Sequence, residues 1–135
     1  MPFVFKEHTA DVRVECRAPT FPALLETAAD AFYAVAFCRR RDGGNAIRRA
    51  RFEATSAEEM LVRWLQELIF LADVDGFVMT HADFEAASPN KVCAVLSGYI
   101  APPADRETEV KAATYHGMAV RRDNDDLVAE IVFDL

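Results

Sequence analysis

Ser56-Ala57-Glu58-Glu59-Met60-Leu61-Val62-Arg63-Trp64-Leu65-Gln66-Glu67-Leu68-Ile69 is the stretch that decides the fold. Ser56 followed three residues later by Glu59 is a capping box, in which the hydroxyl and the carboxylate serve backbone N–H groups that a helix start leaves unpaired. Met60, Leu61, Trp64, Leu65, Leu68 and Ile69 then recur at helical spacing and give one apolar face. Asp73 to Gly76 is predicted to end this helix. Trp64 on that face reads as core, not as a ligand platform.

Upstream, Ala50, Phe52 and Ala54 alternate with Arg49, Arg51 and Glu53, the period of a half-buried strand. Gly43-Gly44-Asn45 breaks the chain before it. Thr20 to about Phe37 is predicted to be the first helix, with Thr20 as N-cap and Pro22 tolerated in the first turn. Its face is Phe21, Leu24, Leu25, Ala28, Phe32, Val35 and Ala36. Val12, Val14 and Cys16 mark a strand directly after Asp11, and Phe3-Val4-Phe5 is short and strand-like.

Downstream the pattern is of strands: Phe77 to Thr80, Phe84 to Ala86, Val92 to Ile100, Glu109 to Val120 and Leu127 to Asp134. Asp123-Asn124-Asp125-Asp126 reads as a hairpin turn between the last two. Ala101 to Thr108, with Pro102 and Pro103, is the longest irregular stretch and is expected to be exposed. Two helices with mostly hairpin-connected strands define an α+β class: two helices packed on a mainly antiparallel β-sheet, in a single domain over residues 1–135.

Composition narrows the function. A net charge of −7 argues against strong direct nucleic-acid binding, which needs a basic surface. The charge is uneven: Arg39, Arg40, Arg41, Arg48, Arg49 and Arg51 crowd together with one acid, Asp42. This cluster reads as a solvated loop after a helix or as a docking patch for an acidic partner or a phosphate. The apolar runs are too short to cross a bilayer, and the N-terminal residues lack the pattern of a signal peptide. Cys16, Cys38 and Cys93 lack metal or redox spacing and are expected to be reduced, mostly buried thiols of a cytoplasmic protein.

No glycine-rich phosphate loop, nucleophile elbow or zinc-spaced Cys/His set occurs, and His8, His81 and His116 stand alone. Carboxylates at strand ends remain. Asp11 enters the first strand, while Asp134 follows the apolar Ile131-Val132-Phe133 and precedes the terminal carboxylate of Leu135. Were these strands neighbours, three negative oxygen groups would meet, a state that calls for a cation or a lysine. Oxygen ligands alone suit a hard ion such as Ca²⁺, Mg²⁺ or Mn²⁺. Taken singly, Asp11 is a loop-capping acid and Asp134 a surface acid. Asp73 and Asp75 are better explained as a solvated helix end. In Glu109-Val110-Lys111-Ala112-Ala113-Thr114-Tyr115-His116, Val110, Ala112 and Thr114 share one face. Lys111 on the other face reads by itself as a lysine reaching for solvent.

His8-Thr9-Ala10-Asp11, Leu61 to Ile69, Glu109 to His116 and Val132-Phe133-Asp134-Leu135 together resemble the archease family, in the family's order and across nearly the whole chain. The chain departs from the usual pattern at Glu7 (Asp in the family), at Gln66 (commonly Asn) and at Gly98-Tyr99 (often Gly-Glu). The resemblance implies an accessory protein, not itself an enzyme, for the RNA 3′-phosphate ligase that splices tRNA halves. Such proteins promote the GTP-dependent guanylylation of the ligase and its repeated turnover. By the same likeness Asp11, Asp134 and Leu135 bind a divalent metal, calcium in crystals of relatives, with Mn²⁺ or Mg²⁺ as functional ions. Lys111 falls among the residues needed for activity. Older descriptions of the family imply a chaperone or a modulator of tRNA methylation. A metal-dependent hydrolase using the same acids is the rival reading from chemistry.

Overall fold

The structure, a computed structural model, describes residues 11–114 and 119–135. The strand expected at Phe3-Val4-Phe5, the His8-Thr9-Ala10 signature, and Tyr115 and His116 lie outside the described residues.

The helix-forming signals act as their chemistry demands. Helix α1 (Phe21–Ala36) begins where the Thr20 hydroxyl accepts the Ala23 N–H at 3.3 Å. Helix α2 (Ala57–Asp75) begins at Ser56, whose hydroxyl accepts the Glu59 N–H at 3.0 Å. The returning bond of the capping box lands one residue early: the Glu59 carboxylate takes the Thr55 N–H at 2.7 Å and the Thr55 hydroxyl at 2.8 Å. Those two hydrogen bonds hold the Glu59 carboxyl below the usual range, the backbone bond most strongly. Gly76, at φ 72°, ends α2 in the left-handed conformation that favours glycine.

The described residues form seven strands: β1 (Asp11–Ala18), β2 (Ala46–Glu53), β3 (Phe77–Ser88), β4 (Lys91–Ile100), β5 (Ala112–Thr114), β6 (Arg121–Asp123) and β7 (Asp126–Asp134). Every pairing among these strands is antiparallel. The strands divide into two sheets. One has the order β1-β7-β5 with β6 also on β7, and the other has the order β2-β4-β3. Each helix packs on both sheets: α1 on β1, β7 and β3, and α2 on β5, β2, β3 and β4. The core therefore lies along the helices. Phe32 meets Phe133 of β7 at 6.2 Å between ring centroids, and Trp64 meets Phe84 of β3 at 5.6 Å.

The buried polar groups are tied across elements. The Trp64 indole N–H donates to the Leu25 carbonyl at 2.8 Å and joins α2 to α1. The Tyr33 hydroxyl accepts the Met79 N–H at 3.0 Å, and burial pushes its pKa up to about 12. β7 is buried along most of its length, as the central strand between β1 and β5 should be, and Leu135 beyond it packs against the core.

Four expectations need correction. Phe77 to Thr80 and Phe84 to Ala86 belong to the single strand β3, which carries irregularities between Met79 and His81 and between Phe84 and Ala86. These bulges break the alternation that a sequence reading relies on. In the segment read as a strand from Glu109, pairing begins only at Ala112, and Val110 and Ala113, three apart, are both buried. Ala101 to Thr108 is exposed at Pro102, Pro103, Ala104 and Glu107, as expected, but not throughout. Ala101 and Asp105 are buried, and the Glu107 and Thr108 N–H groups donate to the Ala36 carbonyl at the end of α1. Of the cysteines, all free, only Cys16 is buried. Burial, with the charges of Asp30 and Glu15, raises its pKa to about 11, so this thiol is unreactive.

Candidate functional site

The first and last strands are neighbours. β1 and β7 run in register from Asp11 opposite Asp134 to Ala18 opposite Leu127. On the other side of β7, Ala112 of β5 also stands opposite Asp134. Asp134 is therefore the middle residue of a three-strand end, with Asp11 on one flank and the start of β5 on the other. The Lys111 N–H donates to the Asp134 carbonyl at 2.8 Å, which brings the lysine's main chain to the same corner.

Directly opposed residues of an antiparallel pair share a face, with Cβ atoms about 5 Å apart. Asp11 and Asp134 thus present two carboxylates to one face at the rim of the sheet, Asp11 exposed and Asp134 half-buried. Like charges placed so are unfavourable unless a cation lies between or beside them. No ion pair between described residues includes Asp11, Asp134 or Lys111.

Among the described residues there is no group of three or more His, Cys, Asp and Glu side chains able to enclose a metal. The donor set at this corner is two carboxylates with main-chain oxygens nearby. That chemistry fits a hard divalent cation, which would keep several positions for water or for oxygens of another molecule. His8 and His116 lie outside the described residues.

The other sequence candidates are absorbed by the fold. Trp64 is fully buried. Asp73 accepts Arg106 at 2.7 Å and Asp75 accepts Arg48 at 3.2 Å, so the acids at the end of α2 pair with arginines. The arginine cluster is partly structural. Arg40 pairs with Asp30 at 2.5 Å, donates to the Met79 carbonyl at 2.6 Å and covers the Tyr33 ring at 4.6 Å. Arg41 grips one oxygen of Asp105 through Nε at 3.2 Å and Nη2 at 3.1 Å. Arg39, Arg49 and Arg51 are exposed.

Arg41 should therefore affect stability more than docking. Arg41→Ala leaves the Asp105 carboxylate, in a residue 6% exposed, without its guanidinium. Because Arg41 itself is half-exposed, the expected cost is roughly 1–3 kcal/mol. Urea melts of Arg41→Ala, Asp105→Ala and the double variant check this. The double variant should be more stable than the sum of the two single losses predicts.

Two side chains of α2 make contacts that the sequence reading did not assign: Gln66, named there only as a departure from the family pattern, and Glu58. The Gln66 side-chain carbonyl accepts the Ala113 N–H at 3.0 Å, and the Glu58 carboxylate accepts the Val120 N–H at 2.7 Å. Their spacing on α2, with Val62 between them, places both on one helix face. A sequence signal could have shown that shared face but not what it touches.

An α+β fold of two capped helices against antiparallel sheets, with paired acids and a lysine at one strand end, is thus the class defined by structure. The chain belongs to the archease family: the archease protein family (MTH1598/TM1083) matches residues 3–135. It is 37% identical over 145 residues to protein archease of Methanopyrus kandleri, covering 100% of both chains. It is 30% identical over 139 residues to protein archease of Methanosarcina acetivorans, covering 98% of this chain and 95% of that one. Its fold matches the crystal structure of an archease, possible chaperone, from Thermotoga maritima, with a TM-score of 0.73 and 21% identity over 100% of this chain and 98% of that one. Among the described residues no helix is long and apolar enough to cross a membrane.

Proposed function

We propose that this protein is an accessory factor that promotes guanylylation and repeated turnover of an RNA 3′-phosphate ligase, through a divalent cation held by Asp11, Asp134 and Leu135 and with Lys111 as the activity-essential side chain. The observation that carries this reading is the register of β1 and β7, which sets Asp11 against Asp134, together with the Lys111 N–H bound to the Asp134 carbonyl. Family membership supports it over a metal-dependent hydrolase.

A bound Ca²⁺, Mn²⁺ or Mg²⁺ would supply positive charge toward phosphate oxygens. The chain's own part is to hold the two carboxylates together at a rim open to a partner and to bring an ammonium to the same rim. Guanylylation moves charge onto GTP phosphates within the ligase, where a lysine placed beforehand is worth most. The site leaves positions that another molecule can complete, which suits a helper more than a stand-alone enzyme.

The test is transfer of labelled GMP from GTP to the ligase in the presence of Mn²⁺, with and without this protein. Stimulation that requires both proteins is the expected outcome. Nucleotide breakdown by this protein alone would favour the hydrolase. Protection of an unrelated unfolding protein, with no effect on GMP transfer, would favour the chaperone reading carried by the Thermotoga maritima relative's description.

Lys111→Ala is expected to lose at least about tenfold in stimulation while its melting temperature stays within a few degrees, since an exposed lysine contributes little to folding. Lys111→Arg should restore only part, because a planar fork does not replace a compact ammonium. A large fall in melting temperature with full stimulation by the folded fraction would make Lys111 structural instead.

A further inference from the structure

We propose that Gln66 is a positioning residue for Lys111: its side-chain carbonyl holds the Ala113 N–H and so fixes the short segment that carries the lysine. The inference rests on the proposed role of Lys111.

Among the described residues β5 spans Ala112–Thr114 and pairs with β7. Lys111 stands one residue before the first paired position and is exposed. Besides that pairing, two hydrogen bonds hold the main chain close to the lysine. On one side the Lys111 N–H donates to the Asp134 carbonyl at 2.8 Å. On the other, two residues along, the Ala113 N–H donates to Gln66 Oε1 at 3.0 Å. Val110 and Ala113, either side of the lysine, are buried at 0% and 2% exposure. Lys111 is thus the exposed residue of a short run pinned before and after it.

The second anchor comes from a rigid element. Gln66 lies on α2, whose buried face is locked into the core by Trp64, Leu65, Leu68 and Ile69. Two helical turns earlier on the same face, Glu58 accepts the Val120 N–H at 2.7 Å. One helix face therefore grips the chain at Ala113 and again at Val120. Gln66 and Glu58 both act as acceptors of a backbone N–H, and neither bond involves the lysine side chain. What they control is where the backbone of the segment sits. An ammonium needed at a phosphate is sensitive to such placement, because a shift of about 1 Å can cost on the order of a hundredfold in rate.

Among the described residues Gln66 bonds through its carbonyl oxygen, which makes the requirement separable from size. Gln66→Glu keeps an acceptor of the same reach, whereas Gln66→Met keeps the length and loses the acceptor. Both variants and Lys111→Ala are compared with wild type in the GMP-transfer assay over a range of accessory-protein concentration. Amide hydrogen exchange at Ala113 is followed by NMR in the same proteins.

Gln66→Met is expected to exchange Ala113 faster and to lower maximal stimulation about tenfold, with the half-saturating concentration unchanged and the melting temperature within about 3 °C of wild type. Gln66→Glu should retain wild-type exchange and stimulation within about twofold. A purely structural role would instead lower the melting temperature and leave the maximal stimulation of the folded fraction intact. Unchanged Ala113 exchange in Gln66→Met overturns the inference. So does full stimulation by Gln66→Met when Lys111→Ala has lost it, and in that case the proposed function stands. Full stimulation by Lys111→Ala overturns both together, since there would be nothing to position.

Discussion

Asp134→Asn is expected to remove essentially all stimulation of GMP transfer, and Asp11→Asn to remove most of it. The order follows from position. Asp134 lies on the central strand between β1 and β5, half-buried, and meets both neighbours, whereas Asp11 lies on a flank and is exposed. Either substitution takes away one of the two aspartate charges of the proposed ligand set, and a hard ion bound by few ligands depends on their charge. The main-chain carbonyl of Asp134 still receives the Lys111 N–H in the asparagine variant, so the segment carrying the lysine keeps its place.

The expected stability change separates this site from an ordinary ion pair. Asp11 and Asp134 are like charges directly opposed, so removing one relieves repulsion. Without metal, each variant should melt at or slightly above the wild-type temperature. With Ca²⁺ or Mn²⁺ at about one hundred times its Kd, the wild type should gain roughly 2–3 kcal/mol, and the variants should gain nothing. Calorimetric titration and melting curves with and without the ion measure both effects. Variants that keep stimulation and still melt higher with metal would place the ion elsewhere.

Most of the helical architecture was written locally. Thr20 and Ser56 are side chains whose oxygen atoms serve the first turn they precede, so a few adjacent residues are enough to set each helix start. The strands were legible as strands wherever alternation survives, as in β1 and β4, but not their division between two sheets. Period-2 alternation reports which residues face inward and carries no label for the partner strand. The bulges in β3 and the burial of Val110 and Ala113 escape the same rule because each breaks it.

The meeting of Asp11 and Asp134 could be reasoned from chemistry. Two acids at the ends of apolar strands become informative once those strands are taken as neighbours, and β1 and β7 are neighbours. Gln66 and Glu58 could not be found that way. Each is an unremarkable polar residue on a helix, and its meaning lies in a backbone N–H that is 47 or 62 residues distant in the chain. The same distance hid Asp105, which looks like a loop acid until Arg41 closes on it.

Gly98→Ala is expected to cause the largest loss of stability, on the order of 3 kcal/mol or more, and to leave a protein that is partly unfolded at ordinary temperature. Gly98 lies in β4 between Ala46 of β2 and Met79 of β3. A Cβ there would stand 1.8 Å from the Val78 carbonyl oxygen and 3.0 Å from the Met79 Cα. Both are backbone atoms, so no rotamer change relieves the clash and the strands themselves must part. The close approach lies just before the irregularity of β3 between Met79 and His81. There the Thr80 hydroxyl lies 3.0 Å from the Gly43 carbonyl and 3.3 Å from the Ser97 carbonyl. Parting β3 from β4 also disturbs the Met79 N–H bound to the Tyr33 hydroxyl, and with it the seat of α1. Gly43 supplies the control. It has φ +70° with nothing within 4 Å of an added Cβ, so Gly43→Ala meets conformational strain alone, about 1 kcal/mol. Urea unfolding of the two variants side by side should show Gly98→Ala several times as costly as Gly43→Ala. Equal costs would mean that β3 and β4 can spread at position 98 without breaking their pairing.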